Sequence, residues 1–183
     1  SGTGIRYGLY GAASGTSSGN LYGIYGFAPP GTGHWAGYFS GNFYHTGTFT
    51  STSDARLKKN VRSLDNALNR VMQLQPKTYE FRTKEYDYIN LAQGKQLGFL
   101  AQEVERIFPE LVEKAEHSFL VPPEKQKTDE VFPEKKKLEI QSLNYIGFIP
   151  VLTAAIQELK LELDEKDDFI EAQNDKIESL EAR

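Results

Sequence analysis

The sequence predicts an α+β protein that works as a homotrimer. It has three parts: an N-terminal Gly/Tyr-rich intertwined β stalk (residues 1–52), a small α+β domain (53–143), and a long C-terminal helix (144–183) that forms a trimeric coiled coil. Three observations predict these three parts. Among residues 1–52 only Arg6 carries a full charge, so all 25 acidic residues and 20 of the 21 Lys and Arg come later. Thirteen of the 16 glycines and six of the ten tyrosines precede that break and form a repeat. From Ile149 onward, isoleucine and leucine recur every seven residues.

The repeat shows as YGLYG from Tyr7, YGIYG from Tyr22 and a degenerate AGYFSG from Ala36. Alternating runs such as Tyr7-Gly-Leu-Tyr10 and Tyr38-Phe-Ser40 suit brief strands, and the glycines suit tight turns or close backbone approach. Strand units of fixed period stack along an axis. With so few aliphatic residues, one copy of this segment cannot bury enough apolar surface to stand alone. Winding three copies together would let rings and glycines fill a shared axis. Regular aromatic spacing favours this over a disordered Gly/Ser linker. The opening Ser-Gly-Thr-Gly reads as the interior of a longer chain.

Past the break, apolar residues at 64, 67, 68, 71, 72 and 74 predict a helix over 63–74, capped by Ser63 or Asp65 and ended by Pro76. Residues 77–82 alternate as a strand, and Gln96–Leu100 read as a second short strand. A helix over 101–108 follows, closed by Pro109. Residues 113–137 are rich in Lys, Glu and Pro, including Pro122, Pro123 and Pro133, and read as a mobile surface excursion. Residues 137–142 return as a strand. The core of this part is small, so help from outside it is expected.

In the final helix, Ile149, Ile156, Leu163, Ile170 and Ile177 fill heptad position a. Leu152, Leu159, Lys166, Gln173 and Leu180 fill position d. The isoleucine-rich a layer leans toward three strands or more. Polar Lys166 and Gln173 lower stability but fix register. Pro150 falls in the first turn, where a helix tolerates it, or else marks a kink.

Composition excludes several functions. The chain has no cysteine, so neither disulfides nor a thiolate metal site is available. A formal net charge of −4 without a basic face argues against nucleic acid. No apolar run reaches the ~18 residues of a membrane span, and no signal peptide is recognisable. No cofactor or metal is expected.

Three ordered blocks carry a family resemblance. Ser53-Asp-Ala-Arg-Leu-Lys58-Lys-Asn60-Val61 is similar to the pattern Ser-Asp-x-Arg-x-Lys-x-Asn-Ile, with Val for Ile. Gly98-Phe-Leu-Ala-Gln102-Glu103-Val, followed by Phe108-Pro-Glu-Leu-Val112, forms the second block. Residues Asn144 to Leu159 form the third. Together, over about residues 50–183, they resemble the intramolecular-chaperone autoprotease domain of phage endosialidase tailspikes, L-shaped tail fibres and neck appendages. A similar module is found in myelin regulatory factor.

The resemblance implies a job. The domain trimerises, aligns three upstream fibre chains and cuts itself off between Thr52 and Ser53. The stalk is left on a virion fibre or tailspike, and the chaperone part, folded in the host cytoplasm, is released. The partners implied are two further copies of the chain and its own upstream stalk, with no nucleic acid and no membrane. The resemblance points to a Ser-Lys dyad of Ser53 and Lys58, since a serine hydroxyl needs a base. His34 and His45 lie in the stalk and His117 in the excursion. A lysine serves as a base only when neutral, a state that apolar burial favours. Asp54 and Asn60 could hold the loop or orient Lys58, while Gln102 and Glu103 receive no chemical role. Read without the resemblance, Ser53-Asp54 is an ordinary turn opener and Lys58 beside Lys59 a solvated charge. Two other functions fit the composition: a trimerisation module that never cuts, and a glycan-binding fibre tip using Tyr residues and Trp35.

Overall fold

A computed structural model describes residues 10–15, 19–121 and 135–182. The first repeat copy from Tyr7 lies partly outside the described residues, and so does the proline-bearing tip with Pro122, Pro123 and Pro133. The element order is α1 (Ala67–Val71), β1 (Lys77–Tyr79), β2 (Gln96–Gly98), α2 (Ala101–Val104), β3 (Val112–Leu120), β4 (Lys135–Leu143) and α3 (Phe148–Glu181). Short 3-10 turns occur at Ala55–Leu57 and Pro109–Leu111. The architecture is mixed α+β, with two small antiparallel sheets and a long C-terminal helix.

The core forms where α2 and the start of α3 meet. Val104, Phe108, Leu111, Phe148 and Val151 are buried, and Val71, Leu74, Phe99, Ile107, Val112 and Leu143 pack around them. Phe108 is fully buried. The Arg70 guanidinium lies 4.0 Å over its ring and donates to the Ile107 carbonyl at 2.7 Å. Phe99 stacks on Phe148 with ring centroids 5.4 Å apart. β1 and β2 pair antiparallel, Thr78 opposite Leu97. A Cβ at Gly98 would lie 2.5 Å from the Tyr145 hydroxyl, so only glycine fits without a shift there.

The expected 63–74 helix is shorter, and neither Ser63 nor Asp65 caps it. Its N-cap is Asn66, in the left-handed region at φ 58° and without a side-chain cap bond. The first donors of α1 turn instead toward α3. The N–H groups of Ala67 and Leu68 donate to the Glu158 carboxylate at 2.9 and 2.7 Å. Those bonds, from Leu68 first and then Ala67, hold the Glu158 carboxyl below its usual range. A depressed carboxyl contributes stability above its unfolded pKa and loses it as pH falls through the folded value. Glu158→Gln is therefore expected to lower the melting temperature at pH 7. Thermal melts at descending pH should show the gap to wild type closing in the acid range.

The largest departure from expectation lies in the described parts of residues 113–137. Residues 113–120 and 135–137 belong to a nine-pair antiparallel ribbon of β3 and β4, from Val112 opposite Leu143 to Leu120 opposite Lys135, and residues 122–134 of the expected excursion lie outside the described residues. One ribbon face carries Ala115, His117 and Phe119, with Ala115 and Phe119 buried. Two ion pairs sit on the other face, where Lys114 pairs with Glu105 and Lys137 with Glu116, both at 2.6 Å. The high Lys and Glu content thus decorates a two-sided strand.

Residues from the repeat cover the apolar ribbon face. Trp35 stacks on His117 at 5.8 Å and Tyr38 meets Phe119 edge-on at 6.5 Å, while Tyr88, from the segment between β1 and β2, meets Phe119 edge-on at 6.0 Å. Asn90 Nδ2 donates to the Ser40 carbonyl at 3.2 Å. Among the described residues up to 52 there is no strand, contrary to expectation. Close approach of glycines does occur: a Cβ on Gly11 would lie 2.5 Å from the Gly23 carbonyl oxygen, and one on Gly26 would strike the Ala36 carbonyl. Successive repeat copies therefore touch backbone to backbone. Their rings, including Tyr10, Tyr22, Tyr25 and Phe39, stay mostly exposed in the single chain.

α3 runs unbroken from Phe148 to Glu181, with Pro150 in its first turn. Only Phe148, Val151 and Ala155 are buried. A different face holds the heptad residues, and it is bare: Ile156 is 66% exposed and Ile170 55%. No helix among the described residues is long and apolar enough to cross a membrane.

Candidate active site at Ser53 and Lys58

The site is a short turn whose shape is set locally. Asp54 is its N-cap, extended at φ −66° and ψ 130°, and its side chain accepts from the Arg56 N–H at 2.9 Å. Asp and Ser favour such caps because their side-chain oxygen satisfies an amide with no partner inside the turn. Leu57 N–H donates to the Asp54 carbonyl and Lys58 N–H to the Ala55 carbonyl, both at 3.1 Å. At Lys58 the chain is extended again. Five residues apart, Ser53 and Lys58 then meet: Lys58 Nζ donates to Ser53 Oγ at 2.7 Å.

Arg56 had no role in the sequence reading. Its guanidinium grips the Asp54 carboxylate through Nε, at 3.0 and 3.2 Å, and through Nη2 at 2.7 Å. The side-chain bond to Arg56, followed by the backbone bond, holds the Asp54 carboxyl below its usual range. The available signal was an Asp cap with an arginine two residues on. Asn60 adopts φ 55° and redirects the chain just past the dyad. Asn residues tolerate that region.

Residues 51–66 are all exposed, so Thr52, Ser53 and Lys58 lie at the surface of the single chain. The histidines are occupied elsewhere. His34 and His45 bond through Nδ1 to the Pro29 and Gly47 carbonyls, both at 3.1 Å, and His117 lies in the ribbon stack. Glu103 pairs with Lys77 at 3.4 Å. Among the described residues no group of His, Asp and Glu could hold a metal ion.

Chemically, a hydroxyl hydrogen-bonded to an amine is a nucleophile beside a candidate base. No curated protein sequence matches the chain significantly. Residues 53–113, from Ser53 to the start of the ribbon, match the family model described as the chaperone of endosialidase, the intramolecular-chaperone family that the Ser53 motif resembles.

Proposed function

We propose that residues 53–183 are a single-turnover, self-cleaving chaperone. It trimerises through the α3 seam, brings three upstream repeats of a phage-type tail fibre or tailspike into register, and then cuts between Thr52 and Ser53. The observation that carries this reading is the 2.7 Å bond from Lys58 Nζ to Ser53 Oγ. The family match over residues 53–113 supports the chaperone part.

The chemistry runs in two stages. Ser53 Oγ attacks the carbonyl carbon of Thr52 while neutral Lys58 accepts the hydroxyl proton. The tetrahedral adduct collapses, the Thr52–Ser53 C–N bond breaks, and the resulting ammonium returns its proton to the Ser53 nitrogen. Thr52 is then held as an ester on Ser53 Oγ, and water hydrolyses it to a free carboxylate and the restored hydroxyl. In the single chain Lys58 faces water, so the dry surroundings that favour a neutral amine come from neighbouring copies. Cleavage thereby waits for assembly.

A denaturing gel with N-terminal sequencing tests the reading. Wild type should yield two fragments, the second beginning at Ser53, and Ser53→Ala should stay at full length. A wild-type trimer that remains intact would leave the same fold as a purely structural trimerisation module.

A further inference from the structure

We propose that Arg56 is a positioning residue: its bidentate grip on Asp54 locks the turn that presents Lys58 Nζ to Ser53 Oγ. The proposal rests on the Ser53–Lys58 reading but concerns a residue to which that reading gave no part. One carboxylate serves two bonds at once. Asp54 Oδ1 caps the Arg56 N–H at 2.9 Å, and the same carboxylate takes the guanidinium at 2.7–3.2 Å. Backbone turn and side-chain fork are thereby tied to a single group.

Residues 53–60 make no hydrogen bond to any other part of the described chain in the geometry above, so the turn depends on its own bonds. Two backbone bonds and the Asp54–Arg56 clamp are what distinguish it from a free loop. Holding two reacting groups in place raises their effective concentration, so a turn that frays dilutes the dyad without removing either member. The planar guanidinium suits this better than an ammonium, which cannot present two parallel donors.

The chain has no cysteine, so Ser53→Cys creates its single thiol and a probe that does not depend on cleavage. A thiol beside an ammonium ionises below the ~8.5 of free cysteine. Alkylation of full-length Ser53→Cys by iodoacetamide, followed against pH, should show a midpoint below that value. Adding Arg56→Gln, or Asp54→Asn, should move the midpoint upward, and Lys58→Met should move it upward fully. Arg56→Gln and Asp54→Asn together should shift it no further than either alone. In the otherwise wild-type chain, each single change should slow self-cleavage about 2–5-fold, the size expected for a lost exposed ion pair, since the backbone cap survives both changes. Melting temperature and oligomeric mass should not change. An alkylation midpoint that responds to Lys58→Met but ignores Arg56→Gln overturns the role of Arg56. A wild-type chain that fails to cut, with the alkylation shifts as expected, overturns the proteolysis alone.

Discussion

Lys58→Ala is expected to leave the chain uncut while its oligomeric state stays that of wild type. The Lys58 side chain touches Ser53 Oγ and is otherwise exposed, so its removal leaves no cavity and costs the fold little. What it removes is the acceptor for the hydroxyl proton and the donor to the leaving nitrogen. General acid–base groups of this kind contribute about 10²–10⁴-fold. At that loss, cleavage complete within an hour stretches to days or longer. Lys58→Arg should fail equally, because a guanidinium does not give up its proton in proteins. Both variants belong on the same denaturing gel as wild type, with light scattering on the undigested samples. Normal cutting by Lys58→Ala would remove lysine from the mechanism.

The second large effect is expected at Leu163→Asp. Leu163 sits at the centre of the bare seam, 48% exposed in the single chain and well beyond the core residues Phe148, Val151 and Ala155. In an assembled coiled coil that position turns inward. Each leucine lost there forfeits about 1.5–3 kcal/mol of burial, and a ring of carboxylates in an apolar layer adds a larger desolvation cost. Sedimentation should report monomer at micromolar concentration. Near-UV circular dichroism should keep the signature of the domain core. Cleavage should fall with the trimer, although Ser53, Lys58 and their turn are untouched.

The long helix was legible because apolar residues recur along the sequence at helical spacing, and α3 runs as expected. The number of chains was not legible in that spacing. Isoleucine at a with leucine at d is also a dimer pattern, so the number three rests on the family resemblance. The ribbon was missed because lysines and prolines masked its alternation: Ala115, His117 and Phe119 share a face only after the paired strand is known. No local rule could have found the cap on α1, since Glu158 lies 91 residues from Ala67. The same limit applies to the ribbon's hold on the repeat, where Gly33 N–H approaches Glu113 Oε1 at 3.5 Å across 80 residues. At the dyad, the identity of Ser53 and Lys58 came from the motif, while the turn that joins them was partly readable from the Asp54 cap. Arg56 was present in the motif, yet its grip on Asp54 is a side-chain conformation that spacing does not specify. The absence of strands in the described repeat has a physical cause of the same kind: a segment with so few aliphatic residues has little to bury by pairing with itself.

The proposed gate, in which cutting waits on assembly, is tested most directly by refolding wild type over a range of chain concentrations. Trimer and Ser53-terminated fragment are quantified in the same samples. The fragment should appear only after trimer, with a lag that lengthens steeply on dilution, and should be missing where the chain stays monomeric. Fragment released by monomers, at a rate indifferent to dilution, would contradict it.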